Sequence, residues 1–381
     1  MILYVIKNIL MLSDASKGDL PPKSSWDIHV LYPYGHINEI ERLSGIEGFY
    51  VEETNGVKLC TEWTPQSVLK LTNHINNIGV NSITPHKITI CNYETIINNI
   101  PNNNQHTIIF NLCDGNEHTG WIGKSAFTLL DNLKFAYTGS SPNIYKIDEV
   151  KTKMKKYLIS VGASTPNYIN ITGVDDRVDI LNKISKLKMP VLIKPANLSG
   201  SIGLTNKNVC HSSQDALTIA VQVSNTYGPV YIEEYISGKE FTVLCFGSAD
   251  YGIKVLTPLE RVFRKDMLDT EKFLSYQTKW IDWKDTWWYA PATSDIIEQV
   301  KKVAIDTYKK AKLDGYCRYD MRQDKETGVI YIVDVNLNCS MDVDDESALQ
   351  IILKHDNIQM FELLEDFFWF ALFRKYKKKI L

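Results

Sequence analysis

The chain has 381 residues, 44% hydrophobic and 23% charged, which suits two or three globular domains of about 100–200 residues each. A net charge of -3 leaves no basic footprint for nucleic acid, and no run reaches the ~20 apolar residues that span a membrane. The seven cysteines, at 60, 91, 113, 210, 245, 317 and 339, are odd in number and form no C-x-x-C pair. That pattern argues against a disulfide framework or a zinc site, and for a reducing, cytoplasmic compartment.

The opening MILYVIKNILML is short and is interrupted by Lys7, so it reads as an extra strand or a packed arm. Ser13-Asp14-Ala15 mimics a signal-cleavage site, and residues 13–25 read as a loop. A buried strand is expected from Trp26 to Pro33, a helix from Pro65 to Ile78, and a strand from Lys87 to Cys91. Asn98 to Gln105 is an asparagine-rich loop, and Thr107 to Leu112 has the continuous apolar character of a parallel strand covered on both faces. Alternating strands and helices make residues 1–145 an α/β unit.

Helices at Asp148–Ser160 and Asp175–Leu187, a strand at Pro190–Lys194, a helix capped by Ser212 and a strand at Val230–Glu234 predict an α+β unit over 146–236. Residues 237–381 begin with a strand at Glu240–Gly247. Ser294 caps a helix with Ile297, Val300, Ala304 and Ala311 on one face, and Gly315 stops it. Tyr316–Met321 and Val329–Asn336 form a hairpin, and Phe361–Arg374 is an apolar helix docked on the core.

Three groups of residues carry chemistry. Lys194 closes a strand, where open sheets present their ligands, and the small-residue loop Ser199-Gly200-Ser201-Ile202-Gly203 lets backbone N–H groups close on phosphate. Glu233, Glu234 and Glu240 gather carboxylates near a strand end: Glu233 for an exocyclic amine, the backbone of Glu234 to Ile236 for a base edge, Glu240 for ribose hydroxyls. Arg318-x-Asp320 and Asp334-x-Asn336 each share a strand face, so pairing of the two strands converges four polar groups. Two carboxylates and an amide oxygen suit Mg²⁺.

Together with FNLCDG (110–115), AYTGS (136–140), IEEYISGKEFTV, EKFLS (271–275), RYD and DVN, these motifs occur in an order that resembles the ATP-grasp enzymes, and within them the D-alanine–D-alanine ligase-like family. The resemblance implies an ATP-grasp fold of α/β and α+β parts, behind an N-terminal Rossmann-like domain. It implies ATP and two magnesium ions, with manganese as an alternative, and small-molecule carboxylate and amine substrates. A homodimer is also implied.

By matching position, Lys153, Lys194 and Lys272 would meet phosphates together with Ser199, Gly200 and Ser201; Glu233, Glu234 and Ile236 would hold adenine; Glu240 would hold ribose. Asp320, Asp334 and Asn336 would bind the metal ions, while Arg318 and a backbone N–H near Ser340 would face the oxyanion. The reaction implied joins an acid to an amine through an acyl phosphate. A genuine D-alanine–D-alanine ligase with an altered acceptor pocket and a non-catalytic nucleotide-binding module are the alternatives.

The chain departs from that pattern where Glu149 follows Asp148 in place of a lysine, where Asp334 stands for a glutamate, and where LYPYGH lacks a glycine pair. Cys113-Asp114 replaces a histidine, and LNCSMDVDDES follows the second metal strand. Its acidic run at Asp342, Asp344, Asp345 and Glu346 would repel a carboxylate, which predicts a cationic, amine-rich or hydroxylated acceptor, or else a solvated helix start.

Overall fold

The structure, a computed structural model, describes residues 20–377 except 38–48, 55, 104–105, 149, 172–175 and 251. The expectations for residues 1–12 and for Glu149 lie outside the described residues.

In the first third of the chain the strands are β1 (Asp27–Pro33), β2 (Gly35–His36), β3 (Tyr50–Thr54), β4 (Val57–Thr61), β5 (Ser82–Ile88), β6 (Thr107–Asn111) and β7 (Ala136–Tyr137). Four of them make a parallel sheet of order β5-β1-β6-β7. Every residue of β6 is buried, as a central strand covered on both faces requires. The strand expected at 87–91 lies earlier, over 82–88. Its Pro85 is tolerated because β5 is an edge strand. The Pro65–Asn76 helix is capped by Thr64, whose hydroxyl accepts from the Ser67 N–H at 3.0 Å, and it buries Val68, Leu71 and Ile75 on one face. A small antiparallel sheet, β2-β4-β3, was not legible in the sequence. It delivers Glu62 directly after β4.

The next strands are β8 (Tyr168–Ile171), β9 (Val191–Pro195), β10 (Val209–Cys210) and β11 (Val230–Glu234), an antiparallel sheet of order β10-β9-β11-β8. Helices Arg177–Ile184 and Ser213–Tyr227 pack with it around a core confined to residues 171–232. Ser212 caps the second helix by accepting from the Asp215 N–H at 3.1 Å.

The last sheet holds β12 (Gly238–Ser248), β13 (Gly252–Val255), β14 (Leu259–Phe263), β15 (Trp287–Pro291), β16 (Gly315–Asp324) and β17 (Ile330–Leu337). Its order is β15-β14-β12-β16-β17, with β13 also on β12. The Ser294–Lys310 helix buries Ile296, Val300 and Ala304; its cap is Thr293, one residue before the one expected, and it ends before Gly315. The Met360–Lys377 helix docks as its apolar sequence predicts, between two sheets. Trp369 meets Trp26 edge-on at 4.6 Å, Phe368 meets Phe110 at 5.6 Å, and Phe367 stacks on Tyr316 at 4.6 Å. Each such aromatic contributes about 1.5–3 kcal/mol by burial. Two of the core clusters therefore mix residues from both ends of the chain. Among the described residues no helix is long and apolar enough to cross a membrane.

Candidate active site

Lys194 ends β9, and the antiparallel register with β11 brings Glu233 alongside it. Glu233 is 2% exposed and lies between two ammonium groups, Lys155 at 2.6 Å and Lys194 at 2.7 Å. Burial opposes its charge, but the two lysines outweigh that and hold its pKa below the ordinary carboxylate value. Lys155 is held below its ordinary value by burial and by repulsion from Lys194.

The helix Lys151–Ser160 supplies Lys155, and here the expectation for Lys153 needs correction. Lys153 is exposed, whereas Lys151 and Lys155, four residues apart and so on one face, turn inward. Their i, i+4 spacing was the signal in the sequence that could have found them.

Glu234 is tied at the crossing between β11 and β12. Its carboxylate accepts from the Lys188 N–H at 2.8 Å and the Asn167 amide at 3.0 Å, so its backbone rather than its side chain remains for a ligand. Ile236 is buried just beyond. Glu240 is 6% exposed and paired with Arg261 and, at 3.2 Å, with Arg322. Arg322 also donates to the Lys272 carbonyl at 2.9 Å. The Lys272 ammonium itself pairs with Asp269 at 3.0 Å. It is Lys279, not Lys272, whose charge neighbours are Arg318, Glu62 and Asp320, and burial followed by Arg318 lowers its pKa to about 8. The EKFLS match drew attention to the wrong lysine of this segment.

The loop after β9 is pinned rather than loose. Gly200 and Ser201 both adopt positive φ, 66° and 61°. The Ser201 hydroxyl donates to the Leu274 carbonyl at 2.8 Å, and the Trp280 indole N–H donates to the Gly200 carbonyl at 2.8 Å. Trp280 faces Phe49 at 6.0 Å, and Phe49 faces Trp121 at 5.6 Å. An aromatic chain thus joins the N-terminal part to the phosphate-type loop.

On the large sheet, the β16–β17 register sets Arg318 opposite Asn336 and Asp320 opposite Asp334, with a bulge just after Asp320. Asp320 accepts from Arg318 at 3.3 Å, from the Asn336 amide at 3.2 Å and from Thr242 at 3.2 Å. Burial opposes its charge, but Arg318 and Arg261 prevail and keep it below the usual range. Asp334 is gripped by Lys151, whose ammonium lies 2.9 and 3.1 Å from its two oxygens. Burial opposes the Lys151 charge, yet Asp334 and Asp148 raise its pKa. Ser340 is half-buried beyond Asn338, whose amide donates to the carbonyls of Asn111 at 3.0 Å and Cys113 at 3.2 Å. The end of β17 is thereby tied to the end of β6.

Between these groups is a cavity of about 100 Å³ lined by Asp114, Tyr145, Asp148, Lys151, Ser199 and Asn336 among others. Lys151, Asp148, Ser199 and Asn336 share it, so the first and third groups of sequence motifs do converge. Glu62 and Asp114 open onto the cleft. The protein crowded around them pushes both carboxyls up, Asp114 to about 7, with Glu62 adding to the rise at Asp114. Asp148 is pushed up to about 6 by burial, partly offset by Lys151. Neither Glu62 nor Lys279 stood out in the sequence, because no motif spacing links residues that only folding brings together. A larger cavity of about 390 Å³, lined by Tyr137, Tyr316, Phe367 and Arg374, touches none of these charged groups.

The acidic run splits. Asp345 is exposed, Asp344 pairs with Lys70 at 3.5 Å and Glu346 with Lys284 at 2.9 Å, while Ser347 caps the following helix. Asp342 alone of the four is a charge neighbour of Glu62. Most of the run is a solvated helix start.

Two lobes with a lysine-flanked glutamate on one and an Arg-Asp/Asp-Asn hairpin on the other define an ATP-grasp fold. The family model described as D-ala D-ala ligase C-terminus matches residues 158–366. The chain belongs to that family. It is 27% identical over 209 residues to D-alanine–D-alanine ligase B of Xanthomonas campestris, covering 55% of this chain and 61% of that protein. It is 27% identical over 212 residues to the D-alanine–D-alanine ligase of a Thermoanaerobacter species, covering 55% and 56%. The match thus spans about three-fifths of the length of these relatives. Among solved structures, the D-alanine–D-alanine ligase from Bacillus anthracis complexed with ATP superposes with a TM-score of 0.63 at 19% identity, over 93% of this chain and 99% of that one. That from Coxiella burnetii gives 0.64 at 12% identity, over 93% and 96%. These likenesses establish the fold.

Proposed function

We propose that this protein is an ADP-forming ligase that joins a carboxylate to an amine through an acyl phosphate. The observation that carries the reading is the pairing of Arg318 with Asp320, and of both with Asn336, across β16 and β17, in a cleft that also holds Lys151 and the Ser199 loop. ATP can be held without a buried arginine at the sheet face, so Arg318 favours chemistry over storage.

Each residue then has a task. Lys194 and Lys155 take the phosphate charge, since their shared partner Glu233 offsets only one of them. The backbone of Glu234 and Ile236 and the carboxylate of Glu240 receive the nucleoside. The pinned loop Ser199–Ser201 and the Trp280 indole exclude water from the phosphates. The oxygen donors of Asp320, Asp334 and Asn336 suit a hard divalent ion, and magnesium there would neutralise phosphate charge.

An acid oxygen attacks the γ-phosphorus, ADP leaves, and the amine nitrogen then attacks the acyl carbon. Arg318, Lys279 and an N–H near Ser340 stabilise the oxyanion as it forms. Phosphate departs and the nitrogen loses its proton. Asp114, which titrates at about 7 in the cleft, is a suitable acceptor for that proton.

The relatives' names make D-alanine the first acid and amine to try. The test is ATP-dependent phosphate release over a panel of amino acids and polyamines, with mass spectrometry of the product. Release must require both an acid and an amine and must vanish in Asp320→Asn. Nucleotide binding with no phosphate release for any pair would leave a binding module instead. Loss of Arg318 should lower the rate by about 10²–10³.

A further inference from the structure

Lys151 occupies a place that metal chemistry would otherwise claim. Its ammonium chelates both oxygens of Asp334, at 2.9 and 3.1 Å. Its own backbone N–H is fixed to the Ala196 carbonyl at 3.1 Å, so the side chain starts from a held point next to the phosphate-type loop. Asp148 lines the same cavity. One of its oxygens accepts from the Leu337 N–H at 3.2 Å, while the other is buried with no hydrogen-bond partner among the described residues. On the neighbouring strand Asp320 has a different set of partners, Arg318, Thr242 and Asn336. The carboxylates are therefore divided: Asp320 and Asn336 share one contact, and Asp334 belongs to lysine.

We infer that Lys151 serves as a built-in cation in place of one of two divalent ions, so that the active complex holds a single metal, on Asp320 and Asn336. The inference rests on the ATP-dependent reading above. A second divalent ion on Asp334 would be pressed against an ammonium that already uses both oxygens, and charges of one sign at that distance repel strongly in a cleft poor in water. An ammonium supplies three donors and one positive charge. It can hold Asp334 with some donors and offer the rest to a phosphate oxygen. Lys151 is thus a positioning residue for Asp334 and a charge partner for the nucleotide.

The experiment counts manganese. Wild-type protein saturated with adenylyl imidodiphosphate, a non-hydrolysable ATP analogue, is titrated with Mn²⁺, and free ion is read by electron paramagnetic resonance. One bound ion per chain is expected for wild type and for Lys151→Arg, and two for Lys151→Gln, in which Asp334 is released. Asp334→Asn should keep the single ion, and this second variant decides the matter if Lys151→Gln does not fold. Two ions in the wild type, one in folded Lys151→Gln, or none in Asp334→Asn each overturns the inference while leaving the nucleotide site intact. Failure of the wild type to bind the analogue at all removes both the inference and the ligase reading.

Discussion

The trio Lys155–Glu233–Lys194 makes the sharpest demand. It carries two positive charges and one negative in a site where Lys155 is 5%, Glu233 3% and Lys194 18% exposed by side chain. Replacing Glu233 with alanine leaves two ammonium groups close together without a counter-charge. Breaking a buried pair in this way costs about 3–5 kcal/mol. Removing Lys194 has the opposite character: Lys155 still neutralises Glu233, and a repulsion is relieved, so Lys194→Met should cost under about 1 kcal/mol in stability. It should weaken nucleotide binding far more, because a charge-assisted hydrogen bond contributes about 1.5–3 kcal/mol, or about 10- to 150-fold in Kd. Urea unfolding of both variants, with nucleotide binding by calorimetry, separates the two effects. Added nucleotide should also partly stabilise the wild type, since phosphate completes the charge balance. Should Lys194→Met unfold more readily than Glu233→Ala while binding nucleotide normally, the trio is structural and the phosphate role is refuted.

Other consequences can be checked separately. His29 stacks on His86 with ring nitrogens 2.8 Å apart, and burial followed by repulsion from His86 lowers its pKa to about 4. Because its folded value lies below the unfolded one, the folded state binds fewer protons, and stability present above pH ~6.5 is lost as the pH falls toward 4. His29→Gln should flatten that acid limb in urea midpoints measured across this window, and an unchanged limb would show that His29 does not contribute. Trp280→Phe keeps the ring but deletes the indole N–H to Gly200, a hydrogen bond of about 1 kcal/mol, and should weaken nucleotide binding about fivefold and speed proteolytic nicking at 199–203. Unaltered nicking would mean that the loop holds itself. Gly315 has φ 79°, and a Cβ there would lie 2.3 Å from the Gly139 carbonyl oxygen. Gly315→Ala should therefore destabilise by at least about 1–3 kcal/mol, and a denaturation midpoint equal to wild type would contradict the close approach.

Much of the site could be read before folding because its chemistry sits at strand ends and on alternating strand faces. Arg318 and Asp320 must share a face, as must Asp334 and Asn336, and only the register of the pair was left open. Ser212 as a helix cap, the all-buried strand Thr107–Asn111 and the docked aromatic helix Met360–Lys377 are likewise local or periodic features. What local pattern could not supply is which long side chain reaches which carboxylate. Lys153 looked as suitable as Lys155 until the helix phase turned it outward, and Lys272 as suitable as Lys279 until its ammonium was found on Asp269.

The sequence alone determined the class of fold and the kinds of groups at the cleft, since periodicity and motif order are properties of neighbours along the chain. Tertiary structure decided that Glu62 enters from an inserted hairpin, that Trp280 fastens a loop 80 residues away, and that Lys151 sits on Asp334 across 183 residues. Those contacts depend on how separate elements pack, and charge pairing over such separations has no signature in local spacing.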